Sequence, residues 1–410
     1  MSRPRDIIEG VLGAPSVFKN KERLYPEYIP SQLPHREEQL RQLTLIFRSL
    51  VSDPGSASYR ALLIGGVGTG KTVTARVFGR DFKQLARKRG VLLEYVHVNC
   101  HRDRTLYSVV LEAARQLKIP LPTRGLSVQE ILESILEYLE DNNMYAILAL
   151  DEFDYFVNVA GSDSVYFLIR LYDQYPYRVK RLNYIFIARD ISSLGLLDSA
   201  AQSYLVRNIV EFRPYSSREL YDILVNRVEE AFYPGTVDEE VVRYIADITG
   251  REKGSGNARI ALETLLVAGE IADREGAGRV TVEHVRKANT LVNPDATMVM
   301  DTLIYLPLHE IILLLAAVRV LREREKAYVR IGDVEREYRK ICEQLGERPR
   351  RHTQVYEYVS NLKKLGVIEV KASGKGYRGR STLIAINIGP LSLFEERLIE
   401  LIEKKGGVWH

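Results

Sequence analysis

Cysteine is scarce in this sequence of 410 residues, and the two that occur, Cys100 and Cys342, are far apart. A disulfide framework is therefore not expected, and a reducing compartment is. Long apolar runs are missing too, since the longest, Ile311 to Val318, falls far short of the ~20 residues that span a bilayer. No apolar stretch of the kind found in secretory signals follows Met1. We expect a soluble, cytoplasmic protein without a membrane partner.

A strong overall charge is also absent, because 58 basic residues stand against 54 acidic ones. The charge is unevenly distributed, however, and residues 348–380 contain nine basic residues against two acidic ones. The nine are Arg348, Arg350, Arg351, Lys363, Lys364, Lys371, Lys375, Arg378 and Arg380. Such a basic cluster is typical of a surface that binds the phosphate backbone of nucleic acid. A solvated basic surface has the same signature in sequence.

A glycine-rich motif follows directly after an apolar segment, residues 61–64, that predicts a strand. Its sequence, Gly65-Gly66-Val67-Gly68-Thr69-Gly70-Lys71-Thr72, fits G-x-x-x-x-G-K-[ST]. Glycines let consecutive backbone N–H groups surround phosphate oxygens at the N-terminus of the next helix. We expect Lys71 to contact the β- and γ-phosphates and Thr72 to coordinate Mg²⁺. The motif therefore predicts that residues 66–72 bind the phosphates of a nucleoside triphosphate.

A second apolar run, Tyr145 to Leu150, reads as a buried parallel strand and ends in Asp151 and Glu152. We expect Asp151 to share the Mg²⁺ with Thr72. Glu152 would then act as the general base that activates the attacking water. A pair of acids that caps a helix or forms salt bridges is the alternative interpretation. His97, Cys100 and His101 are also close in sequence, but their spacing is poor for a tetrahedral zinc site.

Strands and helices alternate up to residue 214, which predicts an α/β domain with a parallel sheet covered on both faces. Residues 215–295 show a purely helical pattern. Residues 296–410 predict three helices followed by two strands around a basic, glycine-rich hairpin, which is typical of a winged helix-turn-helix. We therefore predict three domains with the boundaries 1–214, 215–295 and 296–410.

The third predicted helix of the last domain, residues 353–365, has an apolar face of Val355, Val359 and Leu362. Its opposite face could enter a major groove while the hairpin contacts the adjacent DNA backbone. The predicted contacts to double-stranded DNA are Arg350, Arg351, Thr353, Gln354, Asn361, Lys364, Lys375, Tyr377, Arg378 and Arg380. Winged helices also dock onto proteins, so a protein-binding role stays open at this point.

With these motifs in this order, the chain resembles the AAA+ ATPases, and among them the archaeal origin-recognition initiators. That family is related to subunits of the eukaryotic origin recognition complex and to the helicase loader that acts with them. Residues 25–37 resemble the family's segment leading into the nucleotide pocket. This resemblance implies that Tyr28, Ile29 and Pro30 lie near the adenine.

Two further segments carry the resemblance. Residues 212–224 are similar to the family's lid motif, which implies that the helical domain is a lid and that Tyr221 contacts the nucleotide. Residues 256–262 are similar to the sensor 2 motif, which implies that Arg259 contacts the γ-phosphate as part of the catalytic machinery.

The resemblance also implies a function. Such a protein would be a slow ATPase that binds origin double-stranded DNA and uses ATP binding and hydrolysis as a conformational switch. It would help load the replicative helicase, act with paralogous initiator subunits and associate with the nucleoid. A helical insertion that touches DNA would lie within residues 102–126 and include Arg102 and Arg104 and also Arg124.

Two positions depart from the family pattern. The strand that carries sensor 1 usually ends in Asn, but Arg189 stands here. Ala200 stands where an arginine finger is expected, and Arg207 is the nearest substitute. Without a finger, hydrolysis would be slow or would depend on a partner. A nucleotide-switched transcription regulator has the same parts and is the main alternative, and a transposition helper ATPase is a more remote one.

Overall fold

The computed structural model describes residues 8–9, 12–122, 125–195, 197, 199–293, 303–373 and 381–409. The chain divides into two compact units, one of Ile29–Tyr215 and one of Met1–Tyr28 with Ser216–His410. No helix among the described residues is long and apolar enough to cross a membrane. These units differ from the predicted domains, because they group the residues up to Tyr28 with the C-terminal part of the chain. The domain boundaries 1–214, 215–295 and 296–410 stay a prediction.

The unit Ile29–Tyr215 is built on a five-stranded sheet in the order β2-β3-β4-β1-β5, with all neighbouring strands parallel. The strands are β1 (Arg60–Ile64), β2 (Leu92–Asn99), β3 (Met144–Asp151), β4 (Leu182–Ala188) and β5 (Ile209–Glu211). Strand β4 is buried along its whole length, and β3 is buried after its first residue. Continuous burial is expected where helices cover both faces of a parallel sheet. The predicted α/β architecture is confirmed.

Eight helices accompany this sheet within the described residues. They are α1 (Glu37–Phe47), α2 (Ser49–Ser52), α3 (Lys71–Lys88), α4 (Leu106–Gln116), α5 (Val128–Asp141), α6 (Phe153–Ile169), α7 (Leu171–Gln174) and α8 (Ser199–Leu205). Successive side chains of β3 enter two different cores, because Leu148 packs on one face of the sheet and Ile147 on the other. The side chain of Ser127 caps α5 and the Glu130 carboxylate accepts from the Ser127 N–H, so the helix begins with a capping box.

The helical part of the other unit contains α9 (Ser217–Ala231), α10 (Glu239–Thr249), α11 (Ala258–Arg274) and α12 (Val282–Val292). The N-terminal segment packs on these helices. The ring centroids of Phe18 and Phe232 are 4.7 Å apart, and the Val17 N–H donates to Asp273 at 2.7 Å. Residues 12–28 therefore belong structurally with the helical part rather than with the sheet.

The C-terminal part of the same unit is a winged helix, as predicted. It contains α13 (Leu308–Arg324), β6 (Val329–Arg330), α14 (Ile331–Gln344), α15 (His352–Lys364), β7 (Glu369–Ala372), β8 (Thr382–Ala385) and α16 (Leu391–Lys404). The strands pair antiparallel in the order β6-β8-β7. The apolar run Ile311 to Val318 is buried throughout, because α13 is the central helix of this core.

A polar interface joins the helical and winged-helix parts of this unit. The guanidinium of the buried Arg286 donates to the carbonyls of Ile386 at 2.9 Å and Lys326 at 2.7 Å. Lys371 lies 2.6 Å from the Asp247 carboxylate and 3.6 Å from the centroid of the Tyr328 ring. Lys371, counted above in the basic cluster, is therefore committed to an internal ion pair.

Candidate nucleotide and DNA sites

The glycine-rich loop connects the end of β1 to the start of α3, as the motif requires. Gly70 has a φ of 89°, and a Cβ there would lie 2.6 Å from the Tyr215 hydroxyl oxygen. Only glycine satisfies both the left-handed backbone and this close approach. The predicted phosphate-binding residues Gly66, Val67, Gly68 and Thr69 precede it in the loop, and α3 begins immediately after it at Lys71.

The Lys71 ammonium lies within the loop. It donates to the carbonyl oxygens of Gly65 at 2.5 Å and Gly66 at 2.8 Å. Burial lowers its pKa below the ordinary lysine value, the charges of Asp151 and Asp154 oppose this shift, and the charge of Arg189 adds to it. The charges of Asp151, Asp154 and Arg189 therefore all influence the pKa of the Lys71 ammonium group.

Asp151 is nearly fully buried, with 6% of its surface exposed. Burial alone would raise its pKa, but hydrogen bonds from His97, the Thr72 hydroxyl and the Glu152 N–H, together with the charge of His97, lower the pKa below the ordinary aspartate value. An ionised carboxylate in contact with a hydroxyl is a donor set that suits Mg²⁺. Thr72 and Asp151 would hold the ion, and phosphate and water oxygens would complete its shell.

His97 is a neighbour of Asp151 that the sequence analysis considered only for zinc. Its Nε2 lies 3.2 Å from Asp151 Oδ2, and its Nδ1 lies 3.0 Å from the Tyr95 hydroxyl. The backbone N–H of His97 also donates to the Gln116 side chain at 3.0 Å. The imidazole is held on both sides and fixes the orientation of the carboxylate. The sequence feature that could have indicated this contact is a histidine within β2, the strand that pairs with β3.

Glu152 has a left-handed backbone, with a φ of 55°, at the point where α6 begins. Such a conformation costs a non-glycine residue on the order of 1 kcal/mol and is often found at functional sites. Its carboxylate forms no hydrogen bond or ion pair with the residues that the structure describes. The side chain is therefore available for the predicted role toward water.

Arg36 supports the back of the loop, a role that the sequence analysis did not assign. It is 4% exposed, and its guanidinium donates to the carbonyls of Thr69, Arg213 and His35 at 2.6 to 3.0 Å. The guanidinium carbon also lies 3.7 Å from the centroid of the Tyr215 ring. These contacts fix the loop backbone just before Gly70.

Arg189 and Ala200 stand at the two positions that depart from the family pattern, and Arg207 is the nearest substitute for the missing arginine finger. Arg189 follows β4 directly, its carbonyl accepts from the Gly65 N–H at 3.0 Å, and its Nε lies 3.5 Å from the Asp154 carboxylate. The Ala200 side chain lies outside the described residues. Arg207 is exposed beside β5.

The residues predicted near the adenine are divided between the two units. Tyr28 belongs to the unit with the helical part, where its ring lies between the guanidinium groups of Arg23 at 4.6 Å and Arg227 at 4.8 Å. Ile29 and Pro30 begin the other unit, and Pro30 is buried. Their adenine contacts stay predictions.

The predicted lid contacts lie on α9 and α11. The Tyr221 hydroxyl donates to the Glu239 carboxylate at 3.1 Å. Arg259 is exposed in the first turn of α11, whose cap is the Asn257 side chain. A cation is electrostatically unfavourable at a helix N-terminus, and the Arg259 side chain has no hydrogen bond or ion pair among the described residues. Both facts are expected of a side chain that binds an anion.

The helix predicted to enter the major groove is α15, and its stripe of Val355, Val359 and Leu362 is buried as predicted. The predicted contacts Arg350, Arg351, Thr353, Gln354 and Lys364 are exposed. Asn361 is exposed as well, but its amide donates to both carboxylate oxygens of the buried Glu310 at 2.9 Å. Its polar group is therefore engaged inside the domain.

The remaining predicted DNA contacts divide into two groups. Lys375, Tyr377, Arg378 and Arg380 lie outside the described residues. Arg102 is exposed and pairs with Asp103 at 2.8 Å and Glu112 at 3.2 Å. Arg104 donates to the His101 carbonyl at 3.1 Å. These two arginines both precede the start of α4, and Arg124 lies outside the described residues.

Comparison with known proteins identifies the family. An AAA domain matches residues 57–192, a Cdc6 AAA+ ATPase-type lid domain matches 221–290, and the CDC6 C-terminal winged helix domain matches 301–396. The ORC1-type DNA replication protein 2 of Sulfurisphaera tokodaii is 46% identical over 398 residues, which cover 96% of this chain and 95% of the relative. The chain belongs to the ORC1-type DNA replication protein family.

Solved structures of the ORC1/Cdc6 type share this fold. The crystal structure of Cdc6p from Pyrobaculum aerophilum is 31% identical, has a TM-score of 0.83, and the match covers 95% of this chain and all (100%) of that chain. The Aeropyrum pernix ORC1 protein in complex with DNA is 29% identical, with a TM-score of 0.59 and coverage of 95% and 97%. The predicted order of AAA+ domain, lid and winged helix is confirmed. The roles of individual residues in this ORC1-type chain stay predictions.

Proposed function

We propose that this chain is a replication initiator that binds ATP and Mg²⁺ at the glycine-rich loop and origin double-stranded DNA through its winged helix. The observation that carries the proposal is the arrangement of Lys71, Thr72, Asp151 and Glu152 at the carboxyl ends of the parallel strands β1 and β3, which lie on either side of β4, in a chain of the ORC1-type family. Ligands bind at this edge of an open α/β sheet.

The loop residues bind the phosphates. Backbone N–H groups of the loop and of the first turn of α3 surround the anion, and Lys71 leaves the carbonyls of Gly65 and Gly66 to contact it. Arg36 keeps the loop backbone in its binding conformation before the ligand arrives. A bound Mg²⁺ neutralises phosphate charge, and Thr72 and Asp151 would hold it.

Hydrolysis uses the carboxylate of Glu152. It accepts a proton from a water molecule directed at the γ-phosphate, and His97 keeps the neighbouring Asp151 oriented and ionised. Arg259 senses the γ-phosphate, and loss of that phosphate releases this contact and changes the conformation. With Ala200 at the finger position, turnover is slow or depends on a partner.

DNA binding uses the exposed residues of α15 and the arginines that precede it. Phosphate contacts by Arg350 and Arg351 anchor the domain, and Thr353, Gln354 and Lys364 reach base edges. Lys375, Tyr377, Arg378 and Arg380 contact the backbone from the hairpin, and Arg102 and Arg104 add a second contact. A similar protein, the Aeropyrum pernix ORC1, was solved in complex with DNA, which supports this part of the proposal. Loading of the replicative helicase, paralogous partner subunits and association with the nucleoid complete the function we propose.

Two substitutions test the nucleotide roles. Lys71→Ala should abolish retention of ATP and ADP, whereas Glu152→Gln should retain nucleotide and stop hydrolysis. Lys88→Ala, an exposed lysine at the end of the same helix, and Asp141→Asn, an exposed acid on α5, are the matched controls. Equal turnover of ATP by both variants and the unmodified protein would refute these assignments.

A further inference from the structure

A groove of about 650 Å³ lies at the edge of the parallel sheet opposite the glycine-rich loop. It is formed where β1 begins, where α8 ends and where β5 begins, and α1 contributes Leu45 and Ile46. Arg60, Tyr204 and Arg207 also line it. We call it the arginine groove. The proposed nucleotide and DNA roles do not use it.

The arginine groove has more cations than counter-ions. The Tyr204 ring lies between the guanidinium groups of Arg60 at 5.6 Å and Arg170 at 5.4 Å. The Nε atoms of both arginines are buried without a hydrogen-bond partner. Asp173 lies 3.7 Å from Arg170, and no ion pair joins Arg60 or Arg207 to a carboxylate in the described part of the chain. A buried guanidinium Nε without a hydrogen-bond acceptor is costly, and a carboxylate at the groove would relieve that cost for Arg60.

The groove is also apolar on one side. Leu45 is 59% exposed, and Tyr204 and the adjacent Val206 are 39% and 37% exposed. A ligand that covers this surface must bring aliphatic side chains together with carboxylates. A protein surface provides this combination, whereas a phosphate backbone provides no aliphatic group.

The chain itself presents a surface of this chemistry on α16. Leu393 is 58% exposed, and Glu396 and Glu403 are exposed on the same side of the helix, because residues three and seven apart share a helix face. The two glutamates lie about 10 Å apart along the helix axis, from a rise of ~1.5 Å per residue. Neither forms a hydrogen bond or an ion pair within the described residues. We call these three residues the α16 face.

We propose that the arginine groove binds the α16 face of a second copy of the chain. The glutamates of the α16 face pair with Arg60 and Arg207, and Leu393 packs on Leu45. Because the groove and the face are different surfaces, the contact is head-to-tail and can repeat from copy to copy. The association requires neither nucleotide nor DNA, so it can fail while the proposed function holds.

Sedimentation velocity of the full chain without nucleotide or DNA tests this proposal. We expect a reversible, concentration-dependent association that is weakened by salt. Arg207→Glu and Glu396→Arg should each weaken it by at least about tenfold, because each places like charges opposite one another. A mixture of the two variants should associate again, since each copy supplies what the other lacks.

Two substitutions with the same charge changes are the controls. Arg115→Glu on α4 and Glu343→Arg on α14 alter exposed residues outside both surfaces and should leave the association unchanged. A chain that stays monomeric at every concentration overturns the proposal. An association that weakens with Arg207→Glu but not with Glu396→Arg also overturns it, because the groove would then bind a different surface.

Discussion

Replacement of Arg36 by alanine should destabilise the nucleotide-binding unit and weaken nucleotide binding together. The side chain is buried and donates to three backbone carbonyls, two of which, on Thr69 and Arg213, come from distant parts of the chain. A hydrogen bond to a charged group contributes about 1.5–3 kcal/mol, and stacking on Tyr215 adds about 0.5–2 kcal/mol. Because these contributions are not additive, we expect a loss of about 3–5 kcal/mol in the free energy of unfolding.

Urea denaturation followed by circular dichroism measures the stability loss, and titration with a fluorescent ADP analogue measures binding. The affinity should fall by about tenfold or more, since an unfixed loop must be ordered by the ligand. Arg41→Ala, which removes an exposed arginine from α1, the helix that follows Arg36, is the control and should change the free energy by less than about 0.5 kcal/mol. If Arg36→Ala is no more destabilising than Arg41→Ala, the inferred role of Arg36 is wrong.

Three further substitutions probe the metal site, the DNA face and a buried acid. His97→Ala should raise the Mg²⁺ concentration for half-maximal hydrolysis by about tenfold, because outer contacts orient metal-binding carboxylates; an unchanged Mg²⁺ dependence would count against that role. Replacing both Arg350 and Arg351 with alanine should reduce the slope of log affinity against log salt concentration by about two. The control, Lys404→Ala with Lys405→Ala, should leave that slope unchanged. Equal slopes for the two double variants would argue against DNA contacts by Arg350 and Arg351. Burial raises the pKa of Glu310, although the hydrogen bonds from Asn361 act in the opposite direction. The native state therefore binds more protons at this position than the unfolded state does. Its stability consequently falls as pH rises above the ordinary glutamate pKa of about 4.3. Glu310→Gln should therefore gain stability relative to the parent between about pH 4 and 7, and a constant difference in urea midpoints across that range would contradict this.

The elements that form by local rules could be predicted from the sequence. The strand, loop and helix around Gly70 follow from the motif, and the buried stripe of α15 follows from helical periodicity. Helix α16 could have been predicted in the same way, since Leu391, Phe394 and Leu398 lie on one face, but it was not recognised.

Contacts between residues distant in sequence could not be predicted. Asn361 has the position of a DNA-reading residue on α15, yet a buried carboxylate on α13 binds its amide. Lys371 adds to the basic charge in sequence, but Asp247 of α10 holds it inside the unit. The contact of His97 with Asp151 depends on the pairing of β2 with β3. In each case the tertiary packing of the chain determines which residue is the partner, and the spacing of the two residues in the sequence does not.

The central claim is that nucleotide at the glycine-rich loop controls DNA binding by the winged helix. It is tested most directly by measuring the affinity of the purified protein for origin and random duplexes with ATP, with ADP and without nucleotide. The account predicts that origin affinity differs between ATP and ADP, and that Arg259→Ala removes this difference. Identical affinities in all three nucleotide states would contradict it.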